Sequence, residues 1–518
     1  MNDVTSRSGD SDGSNRRALL VLICTSAPSF MLQLDANIVS VSLPAIGHSL
    51  NANFAGIEWV ISAYMLSFAS LLLPAGALAD RFGRKYLLII GLCIFTAASF
   101  LCGAAPNLTA LIAARALQGI GAAMQLSAAL ATLSHAFHGE ARARAFAFWG
   151  TVVGIGMASG PVVGGLITQH FGWEWAFYVN LPIGMALIGL VGVTVESSRD
   201  PDATRIDFPG VICFGGALFF ATLALIEGND RGWGDGWILA ELACALLLFI
   251  LFIAAEIRQS RPMLDLSYFL RPTYIGANLA QFSFAAGMLT MLTFIPVFLQ
   301  SGLGYESGVA GLLMLPMVVP LVIVPRVVSR SLSHRLTGRS LLFIGLFVVA
   351  LGVLWFAVFV DKLAYTSLWV GMLLTGVGAG LLNGETTKIG MTVIPRERAG
   401  MASGVSGTVR FTGLVIGVAF LGSVLYQRVK SSVEHTMPFV AEHDRASIVR
   451  EITSGNLAGV RLAGHDGTAS KALVLSSFVS GYQALFLTAA ALLTTASFLT
   501  WYFVKAIDTP PTSPPNRV

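Results

Sequence analysis

The chain has 518 residues, of which 55% are hydrophobic and only 12% charged. Soluble domains carry about 25% charged residues, so the composition excludes an ordinary water-soluble protein and requires a bilayer as the main solvent. A formal charge of +4 gives no basis for a nucleic-acid partner, and five cysteines without repeated spacing give none for a disulfide framework.

Residues 1–17 read as a polar tail ending in Arg16 and Arg17. Apolar runs follow, each of about 18–25 residues and so long enough to cross a bilayer as a helix. The first six are predicted at 18–43, 57–78, 86–104, 108–133, 146–168 and 176–195. A pair at 208–227 and 236–256 comes next. The last six are 273–299, 307–328, 341–360, 366–390, 402–426 and 481–504. The first run is too long for a signal-peptide core and reads as an uncleaved span. The expected fold is therefore all-α and polytopic. An N-terminal six-helix half (18–195) precedes two extra linker helices (196–262), a C-terminal six-helix half (263–504) and a short tail (505–518).

Lys and Arg concentrate in alternate loops. With the N-terminus inside, the cytoplasmic set includes Arg81, Arg84, Lys85, Arg142, Arg144, Arg258, Arg271, Arg335, Arg339 and Lys505. The short outer loops hold only Arg231 and Lys362. The positive-inside rule then predicts a multi-pass protein of the plasma (inner) membrane with both termini cytoplasmic. Residues 427–480 contain no spanning run and mix both signs, so they read as a long extracytoplasmic loop, with a short amphipathic helix over 441–452.

A charge at the bilayer centre costs about 2.5–3.5 kcal/mol on insertion scales, so each one needs a reason. Asp35 lies two-thirds along the first helix, with Gln33, Asn37 and Ser40 spaced as a polar wall beside it. It is either a proton carrier or a hydrogen-bonded structural acid. Arg115, in the fourth helix, stays charged in essentially any environment and needs a partner. Asp35 is the candidate, in a switch that ties protonation to conformation; the alternative is a helix-to-helix clamp. Glu385 is a second acid for protons or substrate, unless Lys388 at i+3 neutralises it. Arg410 lies a turn or two inside the membrane and either faces substrate or snorkels. Met31, Met65, Phe68, Met288, Met291 and Phe294 are candidate apolar liners of a cavity. The fifth helix carries Gly154, Gly160, Pro161 and Gly164, a pattern of close packing and bending that suits a gate. No HExxH, GxSxG, Walker loop or Cys/His cluster occurs, so neither an enzyme nor an ATP-driven pump is expected, nor any cofactor or metal.

The 76–85 segment, with Gly76, Asp80, Gly83 and Arg84, resembles the loop between helices 2 and 3 of the major facilitator superfamily. Residues 115–121 are similar to that family's fourth-helix arginine motif, and 154–165 to its fifth-helix antiporter motif. Leu34-Asp35 with Ile38-Val39 and Leu43-Pro44, Trp59 and Tyr64, and 173–184 resemble the fourteen-helix drug:proton antiporters, although Glu174 stands where that subgroup commonly has Arg. The resemblance implies a proton-coupled exporter of small lipophilic or cationic drugs, working as a monomer by alternating access. By the same resemblance Asp35 and Arg115 couple the proton, while Gly76, Asp80, Gly83 and Arg84 latch the two halves, with Asp80 facing the helix start near 400–403. Asn37, Tyr64, Gln118, Glu385 and Arg410 would then be candidates for substrate or a second proton. An exporter of an endogenous metabolite such as a siderophore or antibiotic would carry the same motifs. A non-transporting receptor or scaffold remains the reading from another class.

Overall fold

A computed structural model describes residues 7–137, 139–199, 208–259, 266–394, 399–457, 460 and 467–511. Among the described residues, fourteen helices are long and apolar enough to cross a membrane, as the hydropathy of the sequence predicts. The N-terminal group is α1 (Arg7–Ser49), α2 (Phe54–Phe82), α3 (Arg84–Gly103), α4 (Leu108–Ala136), α5 (Gly139–Phe171) and α6 (Trp175–Thr194). The extra pair is α7 (Phe208–Arg231) and α8 (Gly236–Arg258). The C-terminal group is α9 (Pro272–Gly302), α10 (Ser307–Val327), α11 (Gly338–Phe359), α12 (Tyr365–Met391), α13 (Ala399–Thr436), the short α14 (Glu442–Ser454) and α15 (Gly467–Phe503).

Two features differ from the sequence expectation. The 76–85 segment, left between predicted spans at 57–78 and 86–104, is helical except at Gly83. Helix α2 runs through Phe82 and α3 begins at Arg84, leaving Gly83 alone between them at φ +110°, a conformation that favours glycine. Residues 427–480 are not one loop. Helix α13 continues to Thr436, α14 follows, and α15 starts at Gly467. Charges such as Arg428 and Lys430 break the apolar run while Val429, Val433, Val474 and Phe478 stay buried. The membrane helices thus continue past the apolar run, and the spans Val405–Thr436 and Lys471–Phe503 take in part of these extensions.

Within each half the helices pack closely, α2 and α3 on α4, and α1 on α5. In the other half α10 and α11 pack on α12, and α13 on α15. The halves meet along two matching seams, α2 against α13 and α5 against α10, each pairing the second helix of one half with the fifth of the other. The extra helix α7 lies over the first seam, against α2 and α13, and carries α8 on its outer side. Leu246, Leu247 and Ile250 of α8 are exposed, as a lipid-facing helix requires.

The seams are tight at one end only. A Cβ on Gly165 of α5 would strike the Ser307 carbonyl of α10, and one on Gly311 the Pro161 carbonyl. A Cβ on Gly422 of α13 would strike the Glu58 carboxylate of α2. Mid-seam, contact loosens: Gly407 would meet Leu72 at 3.0 Å, and Gly154 would meet Val322 only at 3.8 Å. At the end that bears Gly83, Gly76 and Gly150 have nothing within 4 Å. Among the described residues, close contact between the halves is therefore found at the far end and not toward the Gly83 end.

Candidate functional site

Asp35 of α1 and Arg115 of α4 are 0% and 1% exposed, and they meet deep inside the N-terminal half. Arg115 Nη1 donates to Asp35 Oδ2 at 2.8 Å and to Gln118 Oε1 at 2.5 Å, and its Nε donates to the Val60 carbonyl of α2 at 3.1 Å. The guanidinium lies 4.2 Å over the Tyr64 ring, a favourable cation–π distance. Gln118 Nε2 donates to Asp35 Oδ1 at 2.9 Å and to Ser99 Oγ of α3 at 2.8 Å. Asn180 Nδ2 of α6 completes the cluster with a 2.7 Å bond to Asp35 Oδ1. Five helices are tied together through one acid.

Hydrogen bonds to a charged group contribute about 1.5–3 kcal/mol each. Asp35 accepts three, enough to offset the insertion cost of a buried carboxylate. All three partners donate, so this arrangement suits the ionised acid. Asn180 Oδ1, by contrast, is buried without a partner. A proton on Asp35 would need an acceptor, and this oxygen is one amide rotation away. Asn180→Leu is expected to remove both options. The stability lost should be about 1–3 kcal/mol, read as a lower thermal midpoint in detergent, and no shift would refute the assigned bond.

A cavity of about 50 Å³ lies between the halves, large enough for ordered water. Gln33, Asn37 and Ser40 of α1 line it, with Tyr64, Met65 and Phe68 of α2, Arg115, Met157 of α5, Leu289 of α9 and Arg410 of α13. Asp35 does not. The polar wall expected beside Asp35 faces the cavity, and the acid points the other way, because residues 33, 37 and 40 occupy a different side of α1. Arg115 connects the two compartments, holding Asp35 with one nitrogen and reaching the cavity beside Tyr64.

The other candidates separate clearly. Gln118 belongs to the acid cluster, while Asn37, Tyr64 and Arg410 line the cavity. Glu385 pairs with Lys388 at 3.1 Å near the Gly83 end, outside the cavity lining. Lys388 answers Glu385 locally, although the Glu385 side chain is only 13% exposed, and neither lines the cavity, so Glu385→Gln is expected to change transport by less than about twofold, and a larger loss in vesicle assays would restore it as a site. Of the apolar candidates, Met65 and Phe68 line the cavity, whereas Met31, Met288 and Met291 are core and Phe294 lines a smaller neighbouring void. On α5, Gly156, Gly160 and Gly164 bear on α1, the last with a Cβ that would lie 2.7 Å from Ile38 Cα. Gly165 and Pro161 bear on α10. The helix is thus wedged between its own half and the other. Of the latch residues, Gly76 meets nothing, and the Arg84 backbone N–H donates to the Ser198 carbonyl at 2.9 Å. The side chains of Asp80 and of residues 400–403 lie outside the described residues.

Sequence reasoning passed over Asn180, Ser99 and Glu58. Asn180 sits in the quoted 173–184 motif, and an intramembrane Asn could have been flagged there. Glu58, 3% exposed in α2, was detectable as a charge within an apolar run. Nothing in the sequence marks Ser99.

The Major Facilitator Superfamily profile matches residues 28–418. The chain is 38% identical over 424 residues to the multidrug resistance protein Stp of Mycobacterium tuberculosis, spanning 81% of this chain and 78% of that protein. It is 31% identical over 512 residues to the tetracenomycin C resistance and export protein of Streptomyces glaucescens, spanning 95% and 93%. Among solved structures, it superposes on a bacterial homologue of the lysosomal transporter Spinster, in an inward-facing and occupied conformation, with TM-score 0.62. That match spans 95% of this chain and 98% of that one at 16% identity.

Proposed function

Because the chain belongs to the Major Facilitator Superfamily, we propose that it exports drug-like small molecules across the cell membrane, driven by protons that enter in exchange. It is a multi-pass membrane transporter and not an enzyme, and its relatives are drug-resistance and efflux proteins. Proton coupling is carried above all by one observation, the buried Asp35–Arg115 pair set behind a cavity that lies between two halves.

The geometry supports such coupling. Ionised Asp35 holds Arg115 in place, and Arg115 holds α2 through the Val60 carbonyl and the Tyr64 ring. A proton on Asp35 removes the charge that Arg115 answers. The guanidinium then has reason to move, and Tyr64 and α2 with it. Helix α2 forms one of the two seams, so protonation biases which end of the seam is closed. Substrate in the cavity biases the same seam from the other side, which is the condition for coupling. One proton moving inward across 100 mV releases about 2.3 kcal/mol, which sustains a roughly 50-fold gradient of a neutral substrate.

The distribution of Lys and Arg supports both termini, and the Gly83 end, being cytoplasmic. On that orientation the open end of the seams faces inward. Asp80 and Arg84 would latch the halves there when that end closes, with Asp80 at the start of α13. The proposed alternating access takes place between two halves of the same chain, so the reading is of a functional monomer.

Inverted vesicles carrying the protein, with an imposed proton gradient and a pH-sensitive dye inside, test the reading. Adding a transported compound from a panel of lipophilic drugs is expected to dissipate the gradient. A compound that accumulates in these vesicles without moving protons would refute proton exchange.

A further inference from the structure

The cavity wall has an unbalanced charge. Among its described lining residues there is no Asp or Glu, and two are arginines. Arg115 is answered by Asp35 from behind. Arg410 is not answered. Its Nη2 lies 3.8 Å from the Met157 sulfur of α5, and its guanidinium 5.7 Å from the Phe284 ring of α9. Sulfur is a weak acceptor and the ring a soft one. No carboxylate among the described residues contacts it. A guanidinium keeps its charge in such a place, and its five N–H donors form a planar fork suited to oxygen acceptors.

The surroundings also favour a ligand over snorkelling. Arg410 reaches across the cavity from the C-terminal half to Met157 of the N-terminal half. Its neighbour Phe411 packs on Phe68 of α2, with ring centroids 4.0 Å apart. Opposite lies a π-helical turn of α9, Phe284–Leu289, which interrupts the regular helix beside Arg410. Such turns recur at functional sites. The remaining wall is mainly apolar, with Leu32, Leu292 and Leu414 among its liners.

We propose that the cavity selects lipophilic molecules that present an ionised acid or phenolate oxygen, bound by Arg410, and rejects permanent cations. A cation placed here would meet positive charge with no acid to answer it. An anion gains the charge-assisted, forked hydrogen bonds that Arg410 now lacks. Because Arg410 touches both halves, its ligand is also placed to affect how they close. The binding claim stands on the charge of the cavity wall, the cavity widening from its present volume of about 50 Å³ as the halves part to admit a ligand, and only its transport consequence rests on the exporter reading.

Two xanthene dyes of similar shape and opposite charge separate the cases: fluorescein, an anion, and rhodamine 123, a cation. Their binding to purified full-length protein in lipid nanodiscs is read by fluorescence anisotropy. Wild type is expected to bind fluorescein at least about tenfold more tightly than rhodamine 123. Arg410→Lys should keep most of that preference, Arg410→Met should abolish it, and Arg410→Glu should reverse it. Co-elution with wild type on size exclusion checks each variant's fold, and Arg410→Lys carries the test if the neutral variant aggregates. Failure of wild type to bind fluorescein, equal or tighter binding of rhodamine 123, or fluorescein binding unchanged in Arg410→Met would overturn the proposal. Arg410-dependent binding of fluorescein without proton-driven accumulation in inverted vesicles would instead count against the exporter reading and leave this one standing. Proton-driven accumulation of rhodamine 123 that Arg410→Met leaves unchanged would do the reverse.

Discussion

Asp35→Asn is expected to reduce proton-driven export to the level of vesicles without the protein, while the protein still folds in the membrane. The substitution keeps the shape of the side chain and one acceptor oxygen. Arg115 uses Oδ2 while Gln118 and Asn180 use Oδ1, so one side keeps its acceptor and the other faces an amide NH2 group; the stability cost should still stay below the roughly 3–5 kcal/mol of removing a buried ion pair's partner outright. The effect on coupling is not graded in the same way. Asn cannot take a proton, so Arg115 meets a neutral group in every step and the two protonation states become one. Binding and exchange of substrate down its own gradient should survive, because Asp35 does not line the cavity. Accumulation under an imposed proton gradient, measured beside exchange at zero gradient, separates the two. Full proton-driven activity in Asp35→Asn would sink the role given to the pair.

Gly165→Val should be the most damaging change outside that cluster. The added side chain would enter the α5–α10 seam where the Ser307 backbone already sits. Overpacking costs about 1–3 kcal/mol, and every 1.4 kcal/mol shifts an equilibrium about tenfold. Here the cost falls only on the state with this end closed, so the valine drives the halves toward the opposite arrangement. Transport is expected to fall by about 10–100-fold with expression intact. Spin labels on α5 and α10 beside residue 165 should report a longer distance than in wild type. An unchanged distance with normal transport would show that this contact is not part of the gate. Gly119→Val makes a useful contrast. Its Cβ would strike the Tyr64 carbonyl inside the N-terminal half, a contact between α4 and α2 of the same half. That variant should fail to fold and not merely change state.

Much of this was legible in the sequence, for a physical reason. A bilayer demands long apolar helices, so the fourteen spans stand out by length alone. A charge within such a run needs compensation, so Asp35 and Arg115 announce each other although 80 positions apart. Depth and direction were harder to read. Gln33, Asn37 and Ser40 fit one polar face, but only packing shows that this face looks into the cavity while Asp35 looks away. The extensions of α13 and α15 read as loop in the sequence because hydropathy detects continuous apolar runs and not amphipathic packing. Asn180 was missed because an amide draws less notice than a charge, yet it supplies one of the three donors to Asp35. Glu385 drew attention for the opposite reason, and its neighbour Lys388 answers it locally.

The central claim is that a proton carried by Asp35 is exchanged for substrate. It is tested most directly by following the pH of an unbuffered solution of the purified protein, near the midpoint of its proton uptake, as a transported compound is added to saturation. Half of the molecules carry the proton at that midpoint, so wild type should release up to about half a proton per protein, and Asp35→Asn should bind the compound and release none. Equal release from both proteins, or none from a wild type that binds the compound, would contradict the coupling mechanism.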